Sequence, residues 1–271
     1  MTPDNKFLNR ISDTDEYITP VGKYPKFFPG IRFFPKLINI VVSSSRLAKK
    51  GIYDSVHWYD SSIDVVRSLE ESGIIMHFTG MDNMRKVQGP VIYVGNHMGT
   101  METMILPAII RPVMKVVYII KAELATYPFF GSVAVARDPI LVGRDNPRED
   151  LIKVLEEGNK RIQAGKSIIV FPQKTRSDLL DPDTFNTLGI KLAKRNNVPV
   201  IPIALLTDAW GNGRYIKEAG KIDPSKEVHL AFGKPIYIKG NGNEEHQKII
   251  EFITGKLKEW GREDLVKKTK D

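Results

Sequence analysis

Short apolar runs alternate with longer segments of mixed polarity along most of this chain. The runs are rich in β-branched and aliphatic residues, which is typical of buried strands, and they lie at residues 91–94, 116–121, 140–142, 167–171, 200–205 and 228–232. The segments at 147–164, 186–195 and 244–260 have the polarity pattern of helices. Strands that alternate with helices predict a single α/β domain, with a largely parallel sheet flanked by helices.

The first part of the chain has a different pattern. Residues 1–22 are mainly polar, and we interpret them as a loose arm. Residues 31–72 are predicted to be mainly helical, with two amphipathic segments. We therefore predict an N-terminal region over residues 1–75, made of the arm and amphipathic helices, which precedes the α/β domain over residues 76–271.

The stretch VIYVGNHMGTME at residues 91–102 is the strongest chemical signal. Its pattern predicts a strand, a turn that contains His97, and a helix that contains Glu102. Five residues on an ideal helix correspond to roughly 140° of rotation, so the two side chains meet only if His97 lies in the turn. A carboxylate that accepts a hydrogen bond from one imidazole nitrogen leaves the other nitrogen basic, which suits general-base catalysis.

Two simpler interpretations of this pair remain open. His97 is equally expected as a buried histidine whose ring nitrogens bond to the backbone. Glu102 is also favoured near a helix N-terminus for its charge alone. That position does not exclude a catalytic role.

Four sequence blocks in a fixed order resemble the glycerolipid acyltransferases, the family of lysophosphatidate acyltransferase. They are NHxxxxE at Asn96–Glu102, a middle block at Lys121–Arg144 that begins KAELATYPFFG, FPQKTRS at Phe171–Ser177 and VPVIPIAL at Val198–Leu205. The resemblance covers roughly residues 91–235. It identifies residues 76–271 as an acyltransferase domain.

The resemblance implies an O-acyltransferase of phospholipid synthesis. Such an enzyme moves a fatty acyl group from acyl-CoA or acyl-carrier protein to the hydroxyl of a lysophospholipid, here expected to be 1-acylglycerol-3-phosphate. The thioester is a co-substrate, so no cofactor and no metal are expected. His97 and Glu102 are then the catalytic residues. The residues expected to bind substrate are Asn96, Arg144, Lys174, Thr175 and Arg176.

The arginines are expected to bind the acceptor's phosphate, because a planar guanidinium matches phosphate oxygens bidentately. The alternative for Arg144 is a solvated loop residue beside Asp145, and Arg176 also has a purely structural alternative. Lys174 either strengthens anion binding or points to water.

Two departures from the family pattern bear on function. Glu102 stands where the family has aspartate, and Gln173 and Lys174 stand where it has glutamate and glycine. These changes keep two alternatives open. One is a non-catalytic peripheral lipid-binding protein on the same fold, and the other is an acyltransferase for a different lipid acceptor.

The net charge of +8 is concentrated near the N-terminus. Residues 23–50 contain seven basic side chains and no acidic one, so the rest of the chain carries a net charge of only +1. Aromatic residues lie between these cations, a pattern typical of a segment in a membrane interface. We therefore expect an anionic lipid surface as a partner. The alternatives are nucleic acid, which no accompanying motif supports, and phenylalanines that simply pack on the core.

Other classes of function lack support in the sequence. The chain has no cysteine, which excludes disulfides and thiol nucleophiles. It has no GxSxG and no Walker A motif. The remaining histidines show no spacing typical of metal ligands. No signal-peptide pattern and no run of 18 apolar residues is found, so we expect a peripheral protein on the cytoplasmic face of a membrane.

Overall fold

A computed structural model of the protein describes residues 11–20, 27–143 and 146–267. Eight strands form one sheet, and their bounds are β1 Glu16–Ile18, β2 Met76–Thr79, β3 Ile92–Gly95, β4 Val116–Lys121, β5 Ile140–Val142, β6 Ser167–Val170, β7 Val200–Leu206 and β8 Val228–Phe232. The α-helices are α1 Pro29–Lys49, α2 Ser55–Glu70, α3 Asp82–Arg85, α4 Met101–Ile110, α5 Phe130–Ala136, α6 Pro147–Gln163, α7 Leu188–Asn196 and α8 Asn243–Glu259.

The strand order is β1-β2-β8-β7-β3-β6-β4-β5. Five of the seven neighbouring pairs are parallel, and only β1 with β2 and β7 with β8 are antiparallel. Strands β3, β6 and β7 lie in the interior of the sheet, and every residue in them is buried. The carboxyl ends of these three parallel strands meet at one edge, where α/β sheets usually bind ligands.

Helices cover both faces of the sheet and bury separate apolar clusters. On one face, α1, α2 and α4 contribute Phe33, Trp58 and Ile105 to the first cluster. On the other face, α6, α7 and α8 contribute residues such as Leu192 and Ile253 to the second. The predicted α/β class, with a largely parallel sheet, flanking helices and an N-terminal amphipathic helix, is confirmed.

Helix α1 separates its side chains into two faces. Phe33 is fully buried, and Leu37 and Ile40 pack partly against the same cluster, as expected for positions one helical turn apart. Ile31 and Ile38 lie on another face and are 73% and 62% exposed. The chain therefore keeps an apolar stripe on its surface. No helix in the described parts of the chain has the length and apolar character to cross a membrane.

The predicted loose arm is wrong for residues 11–20. Residues 16–18 form β1, which pairs with β2 in antiparallel register. The hydroxyls of Tyr17 and Thr19 donate hydrogen bonds of 2.6 and 2.7 Å to Glu70 of α2. A three-residue strand has too little pattern of its own to be identified, and these contacts with distant residues hold it in place.

Candidate active site

The turn that follows β3 is fixed to the neighbouring strand by Asn96. Its side-chain amide donates to the carbonyl of Leu205 at 2.7 Å and accepts from the amide of the same residue at 2.9 Å. Asn96 thereby continues the pairing of β3 with β7 beyond the end of the strand. Because its side chain is buried and bonded through both its nitrogen and its oxygen, Asn96 positions the turn. Its contact with substrate stays a prediction.

The structure brings His97 and Glu102 together in the predicted arrangement. His97 lies in the turn, Glu102 lies in the first turn of α4, and Nδ1 of the imidazole is 2.8 Å from Oε1 of the carboxylate. A carboxylate only accepts hydrogen bonds, so Nδ1 carries the proton and Nε2 is left as the basic nitrogen. The His97 side chain is 16% exposed, whereas that of Glu102 is fully buried.

Four donors surround the buried carboxylate of Glu102. Oε1 accepts from the backbone amides of Met98 and Gly99 at 2.8 Å each, as well as from His97. Burial by itself would raise the pKa of Glu102. The hydrogen bond and charge of His97, together with the other donors, outweigh burial and hold that pKa below its ordinary value. Glu102 is therefore an anion that fixes the orientation of the imidazole.

The fourth donor, Thr207, was missed by the sequence analysis. Its hydroxyl donates to Oε2 of Glu102 at 2.7 Å, and its side chain is fully buried. Thr207 directly follows β7, so the sheet brings it beside a residue 105 positions earlier in the chain. The signal in the sequence was that Thr207 lies two residues after the VPVIPIAL block, at the same sheet edge as His97.

The FPQKTRS loop after β6 also contacts His97, through Phe171 and Gln173. The ring of Phe171 stacks on the imidazole with centroids 4.4 Å apart and an interplanar angle of 9°. The side-chain carbonyl of Gln173 accepts from the backbone amide of His97 at 2.6 Å. Gln173, which departs from the family pattern, thus holds the catalytic turn through an interaction that needs an oxygen and no charge.

Arg176 lies beside the same turn. Its Nη1 donates to the hydroxyl of Thr100 at 3.0 Å and to Oε1 of Glu218 at 2.7 Å. The backbone amide of Ser177 also donates to the carbonyl of His97 at 2.9 Å. A cation is therefore held beside the turn that carries His97, and it has a carboxylate partner that the sequence did not reveal.

The other predicted substrate-binding residues have mixed outcomes. Lys174 and Thr175 are exposed on the FPQKTRS loop, next to Arg176 in sequence. Arg144 lies outside the described residues, so its role stays a prediction. The described site is thus built around His97, Glu102 and Arg176, with Thr207 and Gln173 as supporting residues.

Comparison with known proteins agrees with this geometry. The family model described as Acyltransferase matches residues 75–206. The 1-acyl-sn-glycerol-3-phosphate acyltransferase of Pseudomonas aeruginosa is 27% identical over 171 residues, which are 63% of this chain and 63% of that protein. The match thus spans slightly less than two thirds of that relative. The protein of the same name from Borreliella burgdorferi is 28% identical over 207 residues, which are 74% of each chain.

A solved structure supports the fold. The crystal structure of the 1-acyl-sn-glycerophosphate (LPA) acyltransferase from Thermotoga maritima superposes with a TM-score of 0.61 at 17% identity, and the match covers 90% of this chain and 98% of that one. The chain is therefore similar to lysophosphatidate acyltransferase-like proteins, and the residues that the Acyltransferase model matches include His97, Glu102 and Arg176.

Proposed function

We propose that this protein transfers a fatty acyl group from a thioester donor, acyl-CoA or acyl-carrier protein, to the hydroxyl of a lysophospholipid. The observation that carries the proposal is the 2.8 Å contact between His97 Nδ1 and the fully buried Glu102. Burying a carboxylate is costly unless donors and a cation compensate for lost water. A site built this way suits a histidine that must accept a proton and bear a charge in the transition state.

The reaction needs one proton to move twice. Nε2 of His97 takes the proton of the acceptor hydroxyl while that oxygen attacks the thioester carbonyl carbon. The tetrahedral intermediate then collapses, the carbon–sulfur bond breaks, and the imidazolium returns the proton to the leaving thiolate. Glu102 stabilises the imidazolium between these steps. The products are an ester and a free thiol, and no covalent enzyme intermediate is required.

The acceptor we propose is 1-acylglycerol-3-phosphate, the acceptor in the names of the relatives. Arg176 is the described cation that suits its phosphate, because a guanidinium donates in a planar fork. Its hydrogen bond to Thr100 holds the cation beside the turn that carries the proposed catalytic base. Lys174 and Thr175 on the same exposed loop are proposed as further contacts.

We also propose that the protein works at the surface of an anionic membrane, on its cytoplasmic face, without spanning it. On α1, Ile31 and Ile38 expose an apolar stripe, and Phe27 and Phe28 just before the helix are each 74% exposed. Basic residues near an anionic leaflet contribute about 1 kcal/mol each. Lys36 contributes less than its charge suggests, because it pairs with Glu71. Lys23 and Lys26 lie outside the described residues.

The deciding experiment is a transfer assay with purified protein, a lysophospholipid mixture and either labelled acyl-CoA or labelled acyl-carrier protein. Mass spectrometry of the lipid products would identify donor and acceptor together. His97→Ala serves as the control, and it should lower turnover by roughly 10²–10⁴ while circular dichroism stays unchanged. If no product forms with either donor and any acceptor in the mixture, the non-catalytic lipid-binding alternative is favoured. Product from a folded His97→Ala variant at the parent rate would refute the mechanism.

A further inference from the structure

The loop over residues 211–220 joins an exposed tip to the candidate acceptor site. At its tip, Tyr215 is 89% exposed and Ile216 is 63% exposed. Arg214 lies over the ring of Tyr215, 5.4 Å from its centroid, and Lys217 follows Ile216. An aromatic and an aliphatic side chain flanked by cations have the composition of segments that enter the interface of an anionic membrane.

The same loop carries Glu218, the partner of Arg176. Oε1 of Glu218 lies 2.7 Å from Nη1 of Arg176, with the two side chains 44% and 19% exposed. The backbone carbonyl of Glu218 accepts from the indole of Trp210 at 3.0 Å. Gly220 closes the loop where any side chain would clash with the carbonyl of Gly211. Glu218 is thus placed by a defined loop, and a phosphate that binds Arg176 must compete with it.

The base of the loop also contacts the helix with the exposed apolar stripe. The ring of Trp210 packs edge-on against Phe33 of α1, with centroids 4.7 Å apart. Phe34 approaches the same indole at 6.5 Å. The base of the loop is therefore attached to α1, the helix whose exposed stripe is the first proposed lipid contact.

We propose that the 211–220 loop is a second lipid-contact surface, and that its binding to an anionic membrane separates Glu218 from Arg176 and frees Arg176 for the acceptor's phosphate. The loop would exchange between a position in which Glu218 contacts Arg176 and one in which the two are apart. A lipid surface shifts this exchange only by binding one of the two positions more tightly. The membrane needs to supply little free energy to separate the pair, because a partly exposed ion pair changes the ratio of its paired and separated states by less than about tenfold. This inference rests on the proposed role of Arg176 and extends it to the control of that site.

The first test measures membrane binding and needs no activity. We compare sedimentation of the parent and of the double variant Tyr215→Ser/Ile216→Ser with vesicles of phosphatidylcholine mixed with phosphatidylglycerol. The variant should lose on the order of tenfold in partitioning. Tyr237→Ser is the matched control, since Tyr237 is 62% exposed and lies one residue after Ile236, which bridges to the other end of β7. Equal vesicle binding by parent and double variant would overturn the lipid-contact proposal.

The second test measures how accessible Arg176 is. Glycerol 3-phosphate serves as a soluble phosphate probe in calorimetric titrations with and without the same vesicles. Vesicles should tighten its binding to the parent roughly two- to fivefold. Without vesicles, Glu218→Gln should bind the probe as tightly as the parent does with vesicles. Adding vesicles to this variant should not tighten the binding further. Asp223→Asn, which changes net charge equally, should behave as the parent. If Glu218→Gln binds as the parent does in both conditions, Glu218 does not cover Arg176.

These outcomes separate the inference from the proposed function. Vesicle binding and probe binding can both be measured in a protein that transfers no acyl group. Failure of the transfer assay alone therefore does not contradict this inference. The alternative partner for a basic tip is an acidic acyl-carrier protein. If the double variant binds vesicles normally but shows a raised KM for acyl-carrier protein alone, the loop is a carrier-protein contact and the lipid proposal is wrong.

Discussion

The hydroxyl of Thr207 donates a 2.7 Å hydrogen bond to Oε2 of Glu102, the carboxylate oxygen that His97 does not contact. The two residues are fully buried and come from different parts of the fold, one after β7 and one at the start of α4. Thr207 therefore completes the set of donors that keeps Glu102 ionised. It acts on the reaction only through Glu102.

Thr207→Val tests this relationship because it keeps the shape and removes the hydroxyl. A buried charged acceptor that loses a donor costs about 1–3 kcal/mol, so we expect kcat to fall roughly tenfold. The pKa of Glu102 should also rise, because one of the donors that lower it is lost, and the acid limb of the pH–rate profile should move to higher pH. Thr207→Ser restores the donor and should recover most of the activity. A lower rate with an unchanged pH profile would mean that Thr207 contributes only to packing.

Glu102→Gln tests the charge of the catalytic pair. The amides of Met98 and Gly99 both need an oxygen at the Oε1 position, so the glutamine should place its carbonyl there and still accept from His97. The correct imidazole tautomer is then kept, and only the stabilisation of the imidazolium is lost. We expect kcat to fall on the order of 10²-fold. This loss is smaller than the roughly 10⁴-fold loss that the corresponding aspartate-to-asparagine change causes in serine proteases, where the wrong tautomer forms.

Glu102→Asp separates charge from reach. The charge is kept, but the shorter side chain cannot meet His97, the two backbone amides and Thr207 at their present distances. We expect activity between the parent and Glu102→Gln, measured as kcat with saturating acceptor. Activity of Glu102→Gln equal to that of the parent would show that Glu102 only stabilises the N-terminus of α4.

The sequence predicted the elements whose pattern is local. The bounds of β4 and β8 match the predicted runs at 116–121 and 228–232. Asn146 caps the start of α6, as expected for an asparagine that precedes Pro147 at the first position of a helix, and its side chain accepts from the amides of Arg148 and Glu149. In each case the residues that form the element also carry its signal, through apolar runs or capping chemistry.

Elements and contacts that depend on distant residues could not be predicted in this way. Helix α5 contains a glycine and two valines, which are weak helix formers, and it packs on α1, with the hydroxyls of Ser45 and Ser132 3.0 Å apart. In the site, the His97–Glu102 pair has a local spacing. Thr207 lies beside this pair only because β7 neighbours β3 in the sheet, and Glu218 reaches the site only because the 211–220 loop folds back toward Arg176.

The exposed stripe of α1 gives a prediction about membrane binding. Ile31→Ser/Ile38→Ser removes apolar side chains from the surface and should weaken partitioning to anionic vesicles on the order of tenfold. Ile152→Ser on α6 is the matched control, because Ile152 is 50% exposed and lies on a helix of the opposite sheet face. Raised salt should weaken parent binding as well, since exposed charges are screened. If the α1 variant binds vesicles as well as the Ile152→Ser control does, the membrane contact lies elsewhere on the protein.

His229 gives a prediction about stability and pH. Its ring stacks between His77 and Trp260, with centroids 4.8 and 5.2 Å away. Burial lowers the pKa of His229, and the adjacent His77 adds to this effect, while the carboxylate of Glu227 opposes both. The unfolded chain, where a histidine has a pKa of about 6.5, therefore binds the proton more readily than the folded protein.

The sign of the effect follows from this difference. The contribution of His229 to the free energy of unfolding is complete above about pH 6.5 and is lost as pH falls from there toward its pKa in the folded protein. Each unit between the two pKa values is worth about 1.36 kcal/mol. His229→Phe keeps a ring between His77 and Trp260 but cannot titrate. Urea unfolding across this pH range should therefore show a shallower loss of stability for His229→Phe than for the parent. Parallel curves for the two proteins would mean that His229 titrates alike in the folded and unfolded states.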